Sequence, residues 1–243
     1  MKTALLVSVA ILLAAPAFAA DLPTKKAPAP VPVVTEYDWT GIFFGGNIGW
    51  AWGNGSFNAH SSTTGLPTGS GNNNFDSFIG GGQVGYRYMF PQRFVIGALA
   101  SLDWNTSNSV TNTEFIGKNF YASSIYSSGI NGNVMGLVGY AFGDFLPYAV
   151  GGWAWNDQTI THTQLFGKVG NLSAGTAESI NPYRSGWAVG AGLSYHFWSN
   201  WEVFGQYLYT SYGTSNLNFL QSNQVFHSSL NVNSVTAGVN LKF

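Results

Sequence analysis

The sequence predicts an all-β chain: an eight-stranded antiparallel transmembrane up-and-down barrel with four long loops at one end and three short turns at the other. Three observations predict it. Eight segments alternate apolar and small or polar residues with a period of two, over about the ten residues that a tilted strand needs to cross a bilayer. Only 8% of residues are charged where about a quarter is usual, while 16% are aromatic and 31 are glycine, which suits a wall that meets lipid over a band and water at two rims. The connections between the segments alternate long and short.

The amino-terminal residues fall outside the barrel. Lys2, the apolar run from Ala4 to Ala15 and the small-x-small triplet Ala17-Phe18-Ala19 read as an export signal over residues 1–19, with the mature chain beginning at Ala20 or Asp21. Residues 20–37 contain Pro23, Pro28, Pro30 and Pro32 with Lys25 and Lys26, a composition that buries no core and reads as a Pro-rich periplasmic tether. Residues 38–243 are the barrel. Loss of Lys2 leaves eight basic against ten acidic side chains, so there is no basic footprint for nucleic acid. The absence of cysteine excludes disulfides and thiol chemistry.

The first strand sets Ile42, Phe44, Ile48, Trp50 and Trp52 against Gly45, Asn47, Gly49, Ala51 and Gly53. The second, Ser77 to Met89, shows Phe78, Val84, Tyr86 and Tyr88 on one face and Gln83, Gly85 and Arg87 on the other, and turns at Phe90-Pro91-Gln92-Arg93. The third, Phe94 to Trp104, places Ile96, Ala98, Ala100, Leu102 and Trp104 outward and Leu99, Ser101 and Asp103 inward. The fourth, Asn133 to Phe142, exposes Val134, Val138, Tyr140 and Phe142. In the fifth, Leu146 to Asn156, Tyr148 and Val150 favour one register and Trp153 and Trp155 the other, which predicts a bulge near Gly151-Gly152. The sixth, Gly186 to Phe197, exposes Trp187, Val189, Leu193 and Tyr195; the seventh exposes Trp201, Val203, Tyr207 and Tyr209. The eighth, Asn231 to Phe243, carries Val235, Val239, Leu241 and Phe243 on its lipid face and Ser234, Thr236, Asn240 and Lys242 on its lumen face.

Stretches 53–76, 105–132, 157–185 and 213–230 are rich in Ser, Thr, Asn and Gly and read as extracellular loops; the three between them read as periplasmic turns. Aromatics gather at both ends of the strands, as two interfacial girdles require.

Several motifs together resemble a known family. They are Asp38-Trp39-Thr40-Gly41 with Phe43-Phe44-Gly45-Gly46-Asn47-Ile48-Gly49, Gly139-Tyr140-Ala141-Phe142 with Leu146-Pro147-Tyr148, Gly186-Trp187 through Gly190-Ala191-Gly192, Asn200-Trp201, Tyr207-Leu208-Tyr209, and Ala237-Gly238-Val239-Asn240. They resemble the small porin-family or opacity-like surface-antigen barrels of alphaproteobacteria, which include immunogenic outer-membrane and haemin-binding proteins. The terminal Val239, Leu241 and Phe243 resemble the assembly signal of outer-membrane barrels. The resemblance implies residence in the Gram-negative outer membrane, with outer-membrane lipid, the barrel-assembly machinery and periplasmic chaperones as partners. Similar barrels carry charge at many lumen positions. Here those positions are Leu99, Ser101, Met135, Leu137, Ser194, Phe204, Gln206 and Thr236, and acids and bases are missing together. The remaining lumen-facing polar set is Gln83, Arg87, Asp103, Glu202, Gln206 and Lys242, with Glu202 and Lys242 on adjacent strands placed to pair.

The reading of function is a barrel for envelope structure and surface display, with no cofactor. Two alternatives stay open. One is a small-solute channel, its wall thinned by glycines such as Gly85, Gly192 and Gly238 or plugged by Leu99, Met135, Leu137 and Phe204. The other is loop-mediated binding of haem or a host surface, with His60, His162 and His227 on three different loops beside Phe57, Phe166, Tyr183 and Phe226. No metal-ligand or paired-carboxylate constellation is present. Ser194 and His196 share a face with no acid placed beside them, so no enzyme is expected.

Overall fold

Eight long antiparallel strands close into a ring in the computed structural model, which describes residues 36–106, 110–115 and 121–243. In chain order they are β1 (Gly41–Ser61), β2 (Pro67–Met89), β3 (Phe94–Asn105), β4 (Tyr121–Tyr140), β5 (Phe145–Phe166), β6 (Tyr183–Trp198), β7 (Trp201–Phe219) and β8 (Gln224–Lys242). Each pairs with its neighbours in sequence, and β8 returns to β1 from Lys242 opposite Phe43 to Gln224 opposite Ser61. Closure satisfies the backbone donors and acceptors of the wall, which lipid does not. The expected export signal and the tether up to residue 35 lie outside the described residues.

The pleat sorts side chains as the alternation predicts. Val84, Ile96, Val138, Leu193 and Val235 stand on the outer surface, while Arg87, Leu99, Met135, Ser194 and Asn240 are buried within. A soluble sandwich would bury the first set and hydrate the second, so hydrocarbon is the solvent that this outer face fits. Tight turns close the short-turn end. Arg93 and Ser199 adopt positive φ of 69° and 49°, and Phe90 and Phe94 exchange a backbone hydrogen bond of 2.8 Å. Aromatic pairs sit beside these turns, among them Phe94 with Tyr140 and Phe145 with Tyr195.

The expected loops are largely strand. β1 runs 21 residues, β2 23, β5 22 and β8 19, about twice the span that a membrane requires. The Ser, Asn and Gly residues that read as loop keep the period of two: Phe57 and Ala59 point in while Asn54, Ser56 and Asn58 point out. Outside the bilayer the outer face meets water, so polarity there marks depth rather than irregular backbone. Between β1 and β2 the chain reverses within 62–66, with Gly65 at φ 71°, whereas between β5 and β6 it forms the short strands Lys168–Val169, Leu172–Ser173 and Ala177–Ile180.

Two local expectations are corrected. The fourth strand ends at Tyr140 rather than Phe142, which instead bridges Phe145 around Gly143 at φ 63°. The bulge near Gly151-Gly152 is absent: both glycines hold unbroken register with β4 and β6. Tyr148 and Val150 point inward and Trp153 outward in one continuous alternation, because the lumen at this level is itself apolar.

Lumen glycines lie under aromatic rings. Tyr148 pairs across strands with Gly192, and a Cβ on that glycine would lie 2.5 Å from the Tyr148 ring. Phe204 covers Gly238 in the same way, at 2.7 Å. Only glycine admits a ring laid flat on the neighbouring strand, so the small residues are the sockets of the aromatic fill.

Candidate functional site

The lumen is the candidate site, and it has three levels. At the periplasmic mouth, Arg87 on β2 donates from Nη2 to both carboxylate oxygens of Glu202 on β7, at 2.7 and 2.5 Å. Both side chains are almost fully buried. The guanidinium lies 4.4 Å from the centroid of the Phe43 ring and 5.1 Å from that of Trp39, so it is held between a carboxylate and aromatic faces. Residues 36–40 cross this mouth. Tyr37 donates its hydroxyl to Glu202 at 3.1 Å and stacks on His196 at 3.7 Å. Trp39, wholly buried, donates Nε1 to the Gly143 carbonyl at 3.1 Å. Glu36 bridges Arg93 at 3.0 Å. Burial and the Glu202 carboxylate together push the Tyr37 phenol above its usual range, so it stays a donor.

The expected pairing of Glu202 with Lys242 does not form. Lys242 donates Nζ to the carbonyls of Asp38 and Thr40 and lies 4.4 Å from the Tyr37 ring. It anchors the plug segment and leaves Glu202 to Arg87. The reason is depth and reach: Lys242 is the last strand residue, level with the chain entering β1, whereas Arg87 extends across the lumen.

Above the mouth, Leu99, Met135, Leu137, Tyr148, Phe204 and Leu208 are buried and fill the section. Two polar pairs lie among them. Gln83 donates to Asn240 at 2.8 Å, and Tyr148 donates to Gln206 at 3.2 Å. Further out lies a cavity of about 110 Å³, lined among others by Asp103, Asn105, Asn133, Asn156 and Arg184. Ser101 donates to Asp103 at 3.0 Å, Asn133 donates to Ser101 at 2.6 Å, and Arg184 donates to the Ser228 carbonyl at 3.1 Å.

The third level is an apolar cap beyond the membrane band: Phe57, Ala59, Ile160, Leu217, Phe219 and Phe226. Phe219 and Phe226 pack edge to face at 4.9 Å, and Phe57 lies 5.7 Å from Phe226. His162 is fully buried against these rings. The signal for this cap was present as apolar residues two apart, Phe57 with Ala59 and Leu217 with Phe219, inside otherwise polar stretches.

The three histidines do not converge. His162 is inside the cap, while His60 on β1 and His227 on β8 face outward with ring centroids 5.6 Å apart. Phe57 and Phe226 lie inside the wall, and Phe166 and Tyr183 are exposed elsewhere. A haem platform built from all three histidines is therefore corrected. Ser194 and His196 do not form a nucleophile and base either. His196 faces Asp144 through Nδ1 at 3.0 Å and the Ser199 carbonyl through Nε2 at 2.7 Å, so neither ring nitrogen is available to a serine. The terminal residues seal the ring: Phe243 donates its amide to the Ile42 carbonyl at 2.8 Å and packs against Phe44, while Leu241 pairs with Phe44 and Val239 lies on the lipid face. Among the described residues, no three His, Cys, Asp or Glu side chains gather to hold a metal, and no helix is long and apolar enough to cross a membrane.

Comparison with known proteins agrees with this architecture. A family model described as the outer membrane protein beta-barrel domain matches residues 5–243. The chain is 29% identical to the 31 kDa outer-membrane immunogenic protein of Brucella melitensis, over the whole of both chains. It is 26% identical to the 25 kDa outer-membrane immunogenic protein of Brucella abortus, over all of this chain and 99% of that one. Among solved structures, the outer membrane protein OprG of Pseudomonas aeruginosa aligns with a TM-score of 0.46 at 12% identity, covering 86% of this chain and 98% of that one.

Proposed function

Because this chain belongs to the outer membrane protein beta-barrel domain family, and is an outer-membrane barrel protein of the Gram-negative envelope, we propose that it acts as a sealed scaffold for surface display and not as a channel or an enzyme. One observation carries the reading: the lumen is closed at three levels, by the Arg87–Glu202 and Trp39 plug, by Leu99, Met135 and Phe204, and by the Phe57, Phe219 and Phe226 cap, with a cavity of about 110 Å³ between the last two. An eight-stranded ring has an interior that side chains nearly fill, which leaves no continuous path between these levels.

What then reaches the outside is the set of long hairpins, of which β1–β2 and β7–β8 are strand-paired to within a few residues of their tips. The relatives named as immunogenic support assigning antigenic display to these hairpins. Outer-membrane lipid contacts the apolar belt, and the barrel-assembly machinery and its periplasmic chaperones deliver a chain with this closing strand. The test is planar-bilayer recording of the refolded protein. Currents indistinguishable from those of bare lipid are expected; discrete, reproducible channel steps would refute the sealed scaffold.

A further inference from the structure

We propose that His60 and His227 form a surface chelate for a first-row transition-metal ion, Cu²⁺ before Zn²⁺ or Ni²⁺, on the outer wall of the extracellular extension. The two residues stand on β1 and β8, which are hydrogen-bonded neighbours, with Asn58 directly opposite His227 and His60 two residues further along the same face. Their ring centroids lie 5.6 Å apart with planes at 73°. Two imidazoles each about 2 Å from one ion place their centroids roughly 4.5 Å apart at a right angle and about 5 to 5.5 Å apart at wider, tetrahedral to trigonal angles. The observed geometry is therefore within a small side-chain rotation of chelation. Bis-histidine ligation of a haem would need the two rings on opposite faces of the macrocycle, which side chains projecting together from one sheet face do not supply.

The surroundings favour a ligand role over simple ring contact. His227 hydrogen-bonds Asn216 through Nδ1 at 2.6 Å. Donation from Nδ1–H to that amide oxygen fixes the tautomer and leaves the Nε2 lone pair for an ion, the support that metal-bound histidines ordinarily receive. In the same recess, lined by Asn58, His60, Pro67, Thr68, Ser70 and His227, the Nδ1 of His60 and the hydroxyl of Thr68 are buried without a hydrogen-bond partner. Buried polar atoms are almost always satisfied, so two orphans beside a histidine pair point to a group that binds between them. With two nitrogens and oxygen donors from Thr68, Asn58 or water, the site suits tetragonal Cu²⁺ best, and affinity follows the order of divalent ions.

The test uses the tag-free, refolded full chain in detergent, titrated with Cu²⁺ by calorimetry and by electron paramagnetic resonance. One equivalent with two-nitrogen hyperfine structure is expected. His60→Ala and His227→Ala should each weaken binding about tenfold or more and leave one nitrogen, and Asn216→Ala should weaken it about tenfold with both nitrogens kept. His196→Ala, at the opposite end of the barrel, should bind as the parent does. Retained heat-dependent gel mobility shows that each variant is folded. No binding by the parent, or equal binding by folded His60→Ala and His227→Ala variants, overturns the assignment.

Discussion

Arg87 and Glu202 meet across the lumen from strands three places apart in the ring, with the closest oxygen 2.5 Å from Nη2 and neither side chain open to solvent. A buried pair of this kind is worth little against an apolar replacement, but breaking it strands a charge in a low dielectric. Glu202→Gln and Arg87→Met are each expected to cost about 3–5 kcal/mol. The double variant Arg87→Met/Glu202→Leu should recover most of that loss. Urea unfolding of the refolded barrel, followed by tryptophan fluorescence, measures all three; single variants as stable as the parent would show that the pair does not hold the mouth.

The Arg87 pairing also shows where sequence reading stops. Alternation locates all eight strands and the faces of all but the fifth, because lipid demands an apolar outer side wherever the wall crosses the bilayer. Strand order points Glu202 to Lys242 because order yields only strand neighbours, whereas Arg87 reaches across the hollow. Tyr148 and Val150 misled for a related reason: an apolar residue on a barrel strand reads as lipid-facing, yet this lumen is apolar at that depth. Hairpin extensions such as Asn54 to Ser61 read as loop because their outer face is wet, though their inner face still alternates.

The cap and the mid-lumen fill act in series, and this separates their effects. Replacing Phe57, Phe219 and Phe226 together by alanine is expected to loosen the extracellular extension while leaving bilayer conductance at the level of bare lipid, since Leu99, Met135, Leu137 and Phe204 still occupy the section below. Phe204→Ala alone should cost about 3–5 kcal/mol as a large-to-small change at a buried site, again without current. Steady channel activity from the cap variant would place the seal in the cap alone.

Depth along one strand should be readable from arginine substitutions on its outer face. Ile48 is exposed within the apolar belt of β1, whereas Asn54 lies on the same face beyond Trp52. Ile48→Arg is expected to cost about 2–4 kcal/mol and Asn54→Arg no more than about 1. Equal penalties, measured by folding titrations in lipid vesicles, would mean that the membrane boundary is not at the Trp50 and Trp52 girdle.

His162 should make the cap sensitive to acid. The ring is fully buried beside Phe219 and Phe226, and burial pulls its pKa below the ordinary 6.5, opposed in part by the Glu178 carboxylate opposite it on the short strand Ala177–Ile180. Glu178 also accepts the backbone amides of Gln221 and Ser222, so its charge serves the neighbouring turn as well as the histidine. Between the lowered pKa and 6.5 the unfolded chain binds a proton that the folded cap does not. The histidine's contribution is therefore constant above that window and declines as pH falls through it. Limited proteolysis of the hairpins is expected to quicken from about pH 7.5 to about pH 5 in the parent. His162→Gln, which carries no titrating ring, should be cut at a rate that changes far less. A parent whose hairpins resist protease equally at both values would mean that the buried ring is not what couples the cap to protons.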